Sequence, residues 1–348
     1  MITAHIVALA ARTPVGLRAE STAAAVRARV SRIGDHPIFV DASGEPVRCG
    51  RDALLDPTLM GAERLVALAR AALREAAGKL AGQKLAALKP PIWLALPEAR
   101  LGFDGSDARR VVQTLAAEEL PDLGRLEVRA VGPGHAGGFA ALEQALSRIR
   151  QRQDELALVG GVDSYLDGAA LDWLEQDRRL DCAEARGGFS PGEGAAFVVL
   201  ASDSLRRHLR LPSLAVVRSV ACTTERRDPA SAESLQGEGL TEAFEAVAAN
   251  LARPHEKFDE SYTDINGERV RNHDLSFALL RAGRLFRDGT AYHTAVSSVG
   301  DLGAATAPLN CLLAARAWAR GYATGGNALV YGASWGGARG ALLLGRPE

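Results

Sequence analysis

Val131-Gly132-Pro133-Gly134-His135-Ala136-Gly137-Gly138 separates two segments of different periodicity. Before it, Leu126, Val128 and Ala130 alternate as in a strand over Leu126 to Val131. After it, Phe139 to Arg150 has the apolar spacing of a helix. A glycine-rich turn between strand and helix gathers free backbone N–H groups and the positive helix end at one point. Reactive side chains often occupy such a turn.

The same alternation continues on both sides. Ile2 to Ala10, Ile92 to Leu96, Leu156 to Val162 and Gly194 to Leu200 read as strands, with a short one at Ile38 to Val40. Leu156 to Val162 has almost no polar residue, as expected of a strand buried on both faces. Helices are expected over Ser21 to Ile33, capped by Ser21 or Thr22, over Thr58 to Leu80 and over Ser106 to Leu120. A loop-rich stretch follows from Asp163 to Ser190, and Leu205 to Arg210 closes the first half. The plan then repeats. Leu214 to Cys222, Ser261 to Ile265, Ala291 to Ser298, Ala328 to Tyr331 and Ala341 to Leu344 read as strands. Glu238 to Leu251, Asp274 to Phe286 and Pro308 to Ala323 read as helices. Alternating strands and helices predict an α/β fold with parallel or mixed sheets and helices outside. The two halves, 1–208 and 209–348, show no repeated sequence.

Composition narrows the function classes. Hydrophobic residues are 47% of the 348 and charged residues 24%, which is ordinary for a folded soluble chain. A net charge of -1 offers no electrostatic case for nucleic acid or an anionic membrane. Arg109-Arg110, Arg206-Arg207 and Arg226-Arg227 are small basic patches that read as solvated surface. No apolar run approaches the ~18 residues of a membrane span. The N-terminus lacks a signal-peptide pattern, so a cytoplasmic protein is expected. Cys49, Cys182, Cys222 and Cys311 are scattered without a CxxC pair, which argues against a zinc site and a disulfide framework. Nothing in the sequence implies a metal or a cofactor.

Four further stretches join the opening one. They are Ala157-Leu158-Val159-Gly160-Gly161-Val162-Asp163-Ser164, Gly188-Phe189-Ser190-Pro191-Gly192-Glu193-Gly194-Ala195-Ala196, Gly300-Asp301-Leu302-Gly303-Ala304-Ala305 and Gly332-Ala333-Ser334-Trp335-Gly336-Gly337. With Arg12-Thr13-Pro14-Val15-Gly16, they resemble, in order and spacing, the β-ketoacyl-[acyl-carrier-protein] synthases of the thiolase-like fold. The resemblance spans nearly the whole chain. It implies five layers, αβαβα, built from two similar halves. It also implies a homodimer, or a heterodimer with an active ketosynthase, pairing through Glu127 to Val131, and an acyl carrier protein as a partner.

The chemistry of that family needs a cysteine thiolate, two histidines and an oxyanion hole. Matching the turns puts His135 at the cysteine position, Asn266 at the first histidine and Asp301 at the second. Glu268 and Val270 stand where threonines bind the phosphopantetheine arm, and Val296-Ser297-Ser298 stands where a lysine is expected. Trp335 stands at the gating phenylalanine, beside the oxyanion position. The resemblance is therefore to a degenerate member lacking the Cys and both His. A chain-length-factor-like partner subunit or scaffold is one expectation. An acyltransferase or thioester hydrolase using His135 and Asp301 is the alternative. Against it, a helix N-terminus pushes an imidazole toward its neutral form, and a polar cluster also reads as a hydrogen-bonded remnant in a vacated pocket. Ser164 and Ser334 are turn serines before they are nucleophiles. Cys182, between acidic neighbours in Asp181-Cys182-Ala183-Glu184, is a poor thiolate. Glu193 between two glycines reads as structural, and His293 as packed against the core.

Overall fold

The computed structural model describes residues 3–83, 85–182, 187–227 and 235–348. Ile2 of the expected first strand, and Ala183 and Glu184 beside Cys182, lie outside the described residues. The first half runs β1 (Ala4–Arg12), α1 (Ala19–Arg27), a hairpin of β2 (Ile33–Val40) and β3 (Pro46–Gly50), α2 (Gly61–Lys79) and β4 (Pro91–Leu96). It continues with α3 (Gly105–Ala116), a small hairpin of β5 (Glu119–Leu120) and β6 (Gly124–Arg125), β7 (Glu127–Pro133), α4 (Gly137–Arg150) and β8 (Leu156–Ser164). α5 (Gly168–Gln176), β9 (Glu193–Ser202) and α6 (Asp203–His208) complete it. The rest is β10 (Ala215–Thr224), α7 (Glu238–Ala248), β11 (Glu260–Thr263), α8 (Arg269–Ala282), the single turn α9 (Val296–Val299), α10 (Thr306–Ala319), β12 (Asn327–Ala333) and β13 (Ala338–Gly345).

Nine strands join in the order β11-β12-β13-β10-β1-β9-β8-β4-β7. β1 is the hinge strand: it pairs along its length with β9, and through Ala4 to Ile6 with β10. Three apolar clusters define the layers. Leu65, Leu68 and Leu73 of α2, with Val111 and Leu115 of α3, cover one outer face. Phe139 and Leu142 of α4, with Leu309 and Leu312 of α10, fill the space between the two parts of the sheet. Phe244 and Val247 of α7, with Leu275 of α8, cover the other outer face. The five-layer αβαβα arrangement expected from the resemblance is present. β8 and β9 are buried along nearly their whole length, as continuous apolar runs predict.

Gly161 shows why the Gly-Gly strand end is needed. A Cβ there would lie 2.0 Å from the Ala304 carbonyl oxygen, so only glycine lets β8 meet the turn that bears Asp301. Glu193 fixes the opposite wall. It is 0% exposed and binds Arg64 Nε and Nη2 at 2.5 and 2.7 Å, the Asp52 N–H at 2.8 Å and the Ser164 hydroxyl at 3.0 Å. Its expected structural role holds.

Four expectations fail. Ala291 to Ser298 is not a strand. Only His293 bridges to Tyr262, and the chain then turns through α9 so that the Asp301 N–H can donate to the Ser190 carbonyl at 2.9 Å. His293 is exposed, stacked on Tyr262 at 4.8 Å between ring centroids, and not packed in the core. α1 begins after Arg18, not at a Ser21 or Thr22 cap, because the buried Thr22 hydroxyl is taken by Thr13 and the Gly16 carbonyl. The stretch 163–190, read as loop, contains the helix α5, capped by Asp167 on the Ala169 N–H at 3.0 Å.

Candidate functional site

The strand-to-helix turn forms as its glycines predict. Gly134 has φ +67°, and its N–H donates to the Leu96 carbonyl at 2.8 Å. The Ser334 hydroxyl accepts from the Ala136 N–H at 2.9 Å and donates to the Pro133 carbonyl at 2.9 Å, which ties the turn to the end of β12. Ser334 is thereby a structural hydroxyl. Ser164, bonded to Glu193, is another.

The three family-matched positions converge. His135 is 3% exposed, and its Nε2 lies 2.7 Å from Asp301 Oδ1. Asn266 Nδ2 donates to Asp301 Oδ2 at 2.6 Å, and the Gly303 N–H donates to Asp301 Oδ1 at 2.8 Å. A fourth residue, absent from the sequence reading, organises them. Arg271 binds Asp264 and the Ala333 carbonyl through Nη1, and Glu268 Oε2 through Nε at 3.1 Å. Its Nη2 lies 3.2 and 3.3 Å from the two ring nitrogens of His135. Glu268 also accepts from Arg179 Nε at 2.7 Å. The signal for Arg271 was its position: three residues after Glu268 at the start of α8, it falls on the same helix face.

Asp264, Glu268 and Asp301 face Arg179, Arg271 and a protonated His135, so the buried cluster is neutral when the imidazole is charged. Burial, the largest influence, and the Arg271 cation oppose that charge. The Asp301 carboxylate and its hydrogen bond outweigh them, and the His135 pKa is raised above the ordinary imidazole value. The neutral form expected from the helix end alone is therefore corrected by Asp301. Burial pushes the Asp301 carboxyl up, but His135 and Arg271 more than offset it and hold the group well below the usual carboxylate range. Glu268 is likewise held down against burial by Arg271 and Arg179, so it is an ion-pair partner in the interior.

These directions set a pH window. The raised His135 contributes stability that is complete below the unfolded value of ~6.5 and lost as pH rises through its folded pKa. The depressed Asp301 contributes stability present above ~3.9 and lost as pH falls toward its folded pKa. Unfolding free energy measured against pH should therefore be greatest between about 4 and 6.5 from this pair. His135→Gln should flatten the decline on the alkaline side; an unchanged profile would remove the pair from the stability of the fold.

A cavity of about 290 Å³ lies outside the cluster, lined by His135, Arg100, Tyr165, Trp173, Arg179 and Trp335 among others. The Arg179 guanidinium sits 3.9 Å over the Trp335 ring, and Arg100 sits 4.1 Å over Tyr165. The backbone N–H groups of Trp335 and Gly336 are both taken by Glu98, at 2.9 and 2.7 Å. The Glu98 side chain also fills the space beside Gly134, where a Cβ would meet it at 2.7 Å. No cysteine lines the cavity, and Cys182 lies in the segment beyond Arg179. Among the described residues, no group of three or more His, Cys, Asp or Glu could hold a metal ion. No helix among them is long and apolar enough to cross a membrane.

Comparison with known proteins agrees with this architecture. Residues 130–205 match the family profile described as Beta-ketoacyl synthase, N-terminal domain. No curated protein matches the chain by sequence. Three solved structures match over the whole of both chains. One is from the complex of a type II polyketide synthase acyl-carrier protein with its ketosynthase bound to the hexaketide, at TM-score 0.82 and 13% identity. The ishigamide ketosynthase/chain length factor follows at 0.79 and 17%. A β-ketoacyl synthase from Burkholderia phymatum STM815 gives 0.74 and 15%. The fold is the thiolase-like fold of the ketosynthases, and the chain resembles the β-ketoacyl synthase family.

Proposed function

We propose that this ketosynthase-like protein does not condense acyl chains and acts as a chain-length-factor-like partner subunit, or scaffold, for an active ketosynthase. The observation that carries this reading is the state of His135. It stands where the family has its thiol, and both ring nitrogens face groups already engaged, Asp301 and Arg271. An imidazole whose Nε2 is held by the Asp301 carboxylate and whose other nitrogen is crowded by the Arg271 cation is poorly placed to take a proton from a nucleophile, and no cysteine lines the cavity beside it. The Glu98 carboxylate on the Trp335 N–H adds to this, because a hole filled by an anion cannot stabilise an oxyanion.

The partner role draws support from the sheet edge. β7 pairs with β4 on one side and has no strand on the other among the described residues. Glu127 and Arg129 lie two residues apart on one face of it and pair with each other, and no position along β7 is fully buried, which leaves its outer edge open to a similar strand. Two of the compared structures are, by their own descriptions, a ketosynthase with its carrier protein and a ketosynthase/chain length factor. In this reading the 1–208 half offers the pairing edge, the 209–348 half supplies Asn266, Arg271 and Asp301 behind the turn, and a carrier protein meets the assembled pair.

Co-expression with a ketosynthase from the same genome, followed by native mass spectrometry, tests the subunit. A stable one-to-one heterodimer is expected, and only homodimer or monomer in every preparation would overturn it. Restoring the thiol with His135→Cys should give no condensation product above background from acyl- and malonyl-carrier substrates, since Asn266, Asp301 and Glu98 remain. Product formation by that single variant, or thioester turnover by the wild type, would sink the non-condensing reading.

A further inference from the structure

The cavity outside the His135 cluster has a one-sided hydrogen-bonding inventory. Its carboxylates are already satisfied. Glu98 accepts the Trp335 and Gly336 N–H groups, and Asp163 accepts Arg100 Nη2 at 2.6 Å and the Ala304 N–H at 3.0 Å. The uncommitted groups are donors. Arg179 uses only Nε, toward Glu268, and its two terminal nitrogens have no protein partner among the described residues. The Tyr165 hydroxyl has no side-chain hydrogen bond among the described residues either. Both side chains are held in place. Arg179 is 6% exposed and lies between the Trp335 ring and Phe189, while Tyr165 is 5% exposed and packs edge-on to the same Phe189. Trp173 and Trp335 supply flat apolar walls, and Arg179 sits 5.2 Å over the first of them.

A buried guanidinium with a free fork is built for an anion that can accept two parallel hydrogen bonds. Aromatic walls around it favour a flat apolar body behind that anion. The volume, about 290 Å³, stands at the lower end of ligand clefts, which begin near ~300 Å³. We propose that this cavity binds a small untethered organic acid with a flat apolar body, its carboxylate on Arg179 and Tyr165 and its body against Trp173 and Trp335. The inference rests on the non-condensing reading, because it gives the vacated site a free ligand in place of a carrier-bound thioester. The acid would lie across the Arg179–Trp335 stack and so tie α5 to the turn after β12.

Benzoate and sorbate serve as probes, with methyl benzoate as the uncharged control. Titration into the whole protein, followed by tryptophan fluorescence and calorimetry, should show saturable binding of the acids and none of the ester. Tyr165→Phe, which keeps the ring packing, should weaken benzoate binding by roughly tenfold. Arg179→Gln should abolish it; since Arg179 also pairs with Glu268, circular dichroism would confirm that this variant is folded. No saturable binding, equal binding of acid and ester, or an unchanged affinity in Tyr165→Phe would overturn the proposal. Acid binding that fails in a protein with no thioester turnover overturns this inference alone, whereas turnover by the wild type overturns the non-condensing reading whatever the acids do.

Discussion

Arg271→Ala should lower the unfolding free energy by about 3–5 kcal/mol, as expected when one partner of a buried ion-pair network is removed. Arg271 is 5% exposed and is the cation shared by Asp264 and Glu268. Without it Asp264 loses its guanidinium and Glu268 keeps only Arg179 as a cation. The neutral donors left to them, the Ala333 N–H on Asp264 and the Asn266 amide on Glu268, do not replace the lost charge. The cost is the penalty of leaving charge unpaired, not the net worth of the network. A double variant that also neutralises a carboxylate, Arg271→Met with Asp264→Asn, should therefore recover part of the loss. Urea unfolding of the single and double variants checks this. A loss below about 1 kcal/mol in Arg271→Ala would show the network to be solvated.

Glu193→Ala should be comparably severe, about 3–5 kcal/mol by the same mechanism. The carboxylate is the counter-ion of Arg64, whose guanidinium is itself buried near the start of α2. It also receives the Asp52 N–H and the Ser164 hydroxyl, so three separate segments lose their common acceptor. Ser164 ends β8 and precedes Tyr165. The fluorescence of Trp173 should shift with it, reporting a loosened cavity wall. Glu193→Gln, which keeps the volume but not the charge, should still be clearly destabilising, and near-wild-type stability there would show that charge is not what Arg64 requires.

The fold was largely legible because its signals are local. The apolar runs of β8 and β9, and the glycine turns that follow or precede them, announce themselves within ten residues. The site was legible only where the family's turns give positions: His135, Asn266, Asp301 and Trp335. Glu98 and Arg179 had no such guide, while Arg271 had only its spacing of three from Glu268. Glu98 meets Trp335 across 237 residues, and Arg179 meets Glu268 across 89, so no period or spacing connects them. Ala291 to Ser298 misled for the opposite reason. Its local alternation suits a strand, but the need to bring Asp301 beside Pro191 bends the chain away after one bridge. The direction in which His135 is pushed was not legible because a helix end is a weak local field, and Asp301, at 2.7 Å, is a strong distant-in-sequence one.

The position of β1 has a consequence for how the chain is made. Its first three paired residues need partners at 200–202 on one side and 215–217 on the other. β1 is made before its partners, and the chain must be extended through residue 202 to complete one ladder and through residue 217 to complete the other. Until then an apolar strand with two open edges waits on the growing chain, the kind of exposed segment that chaperones hold. Synthesis of this protein is thus bound to a long interval in which its most central strand is also its most vulnerable one.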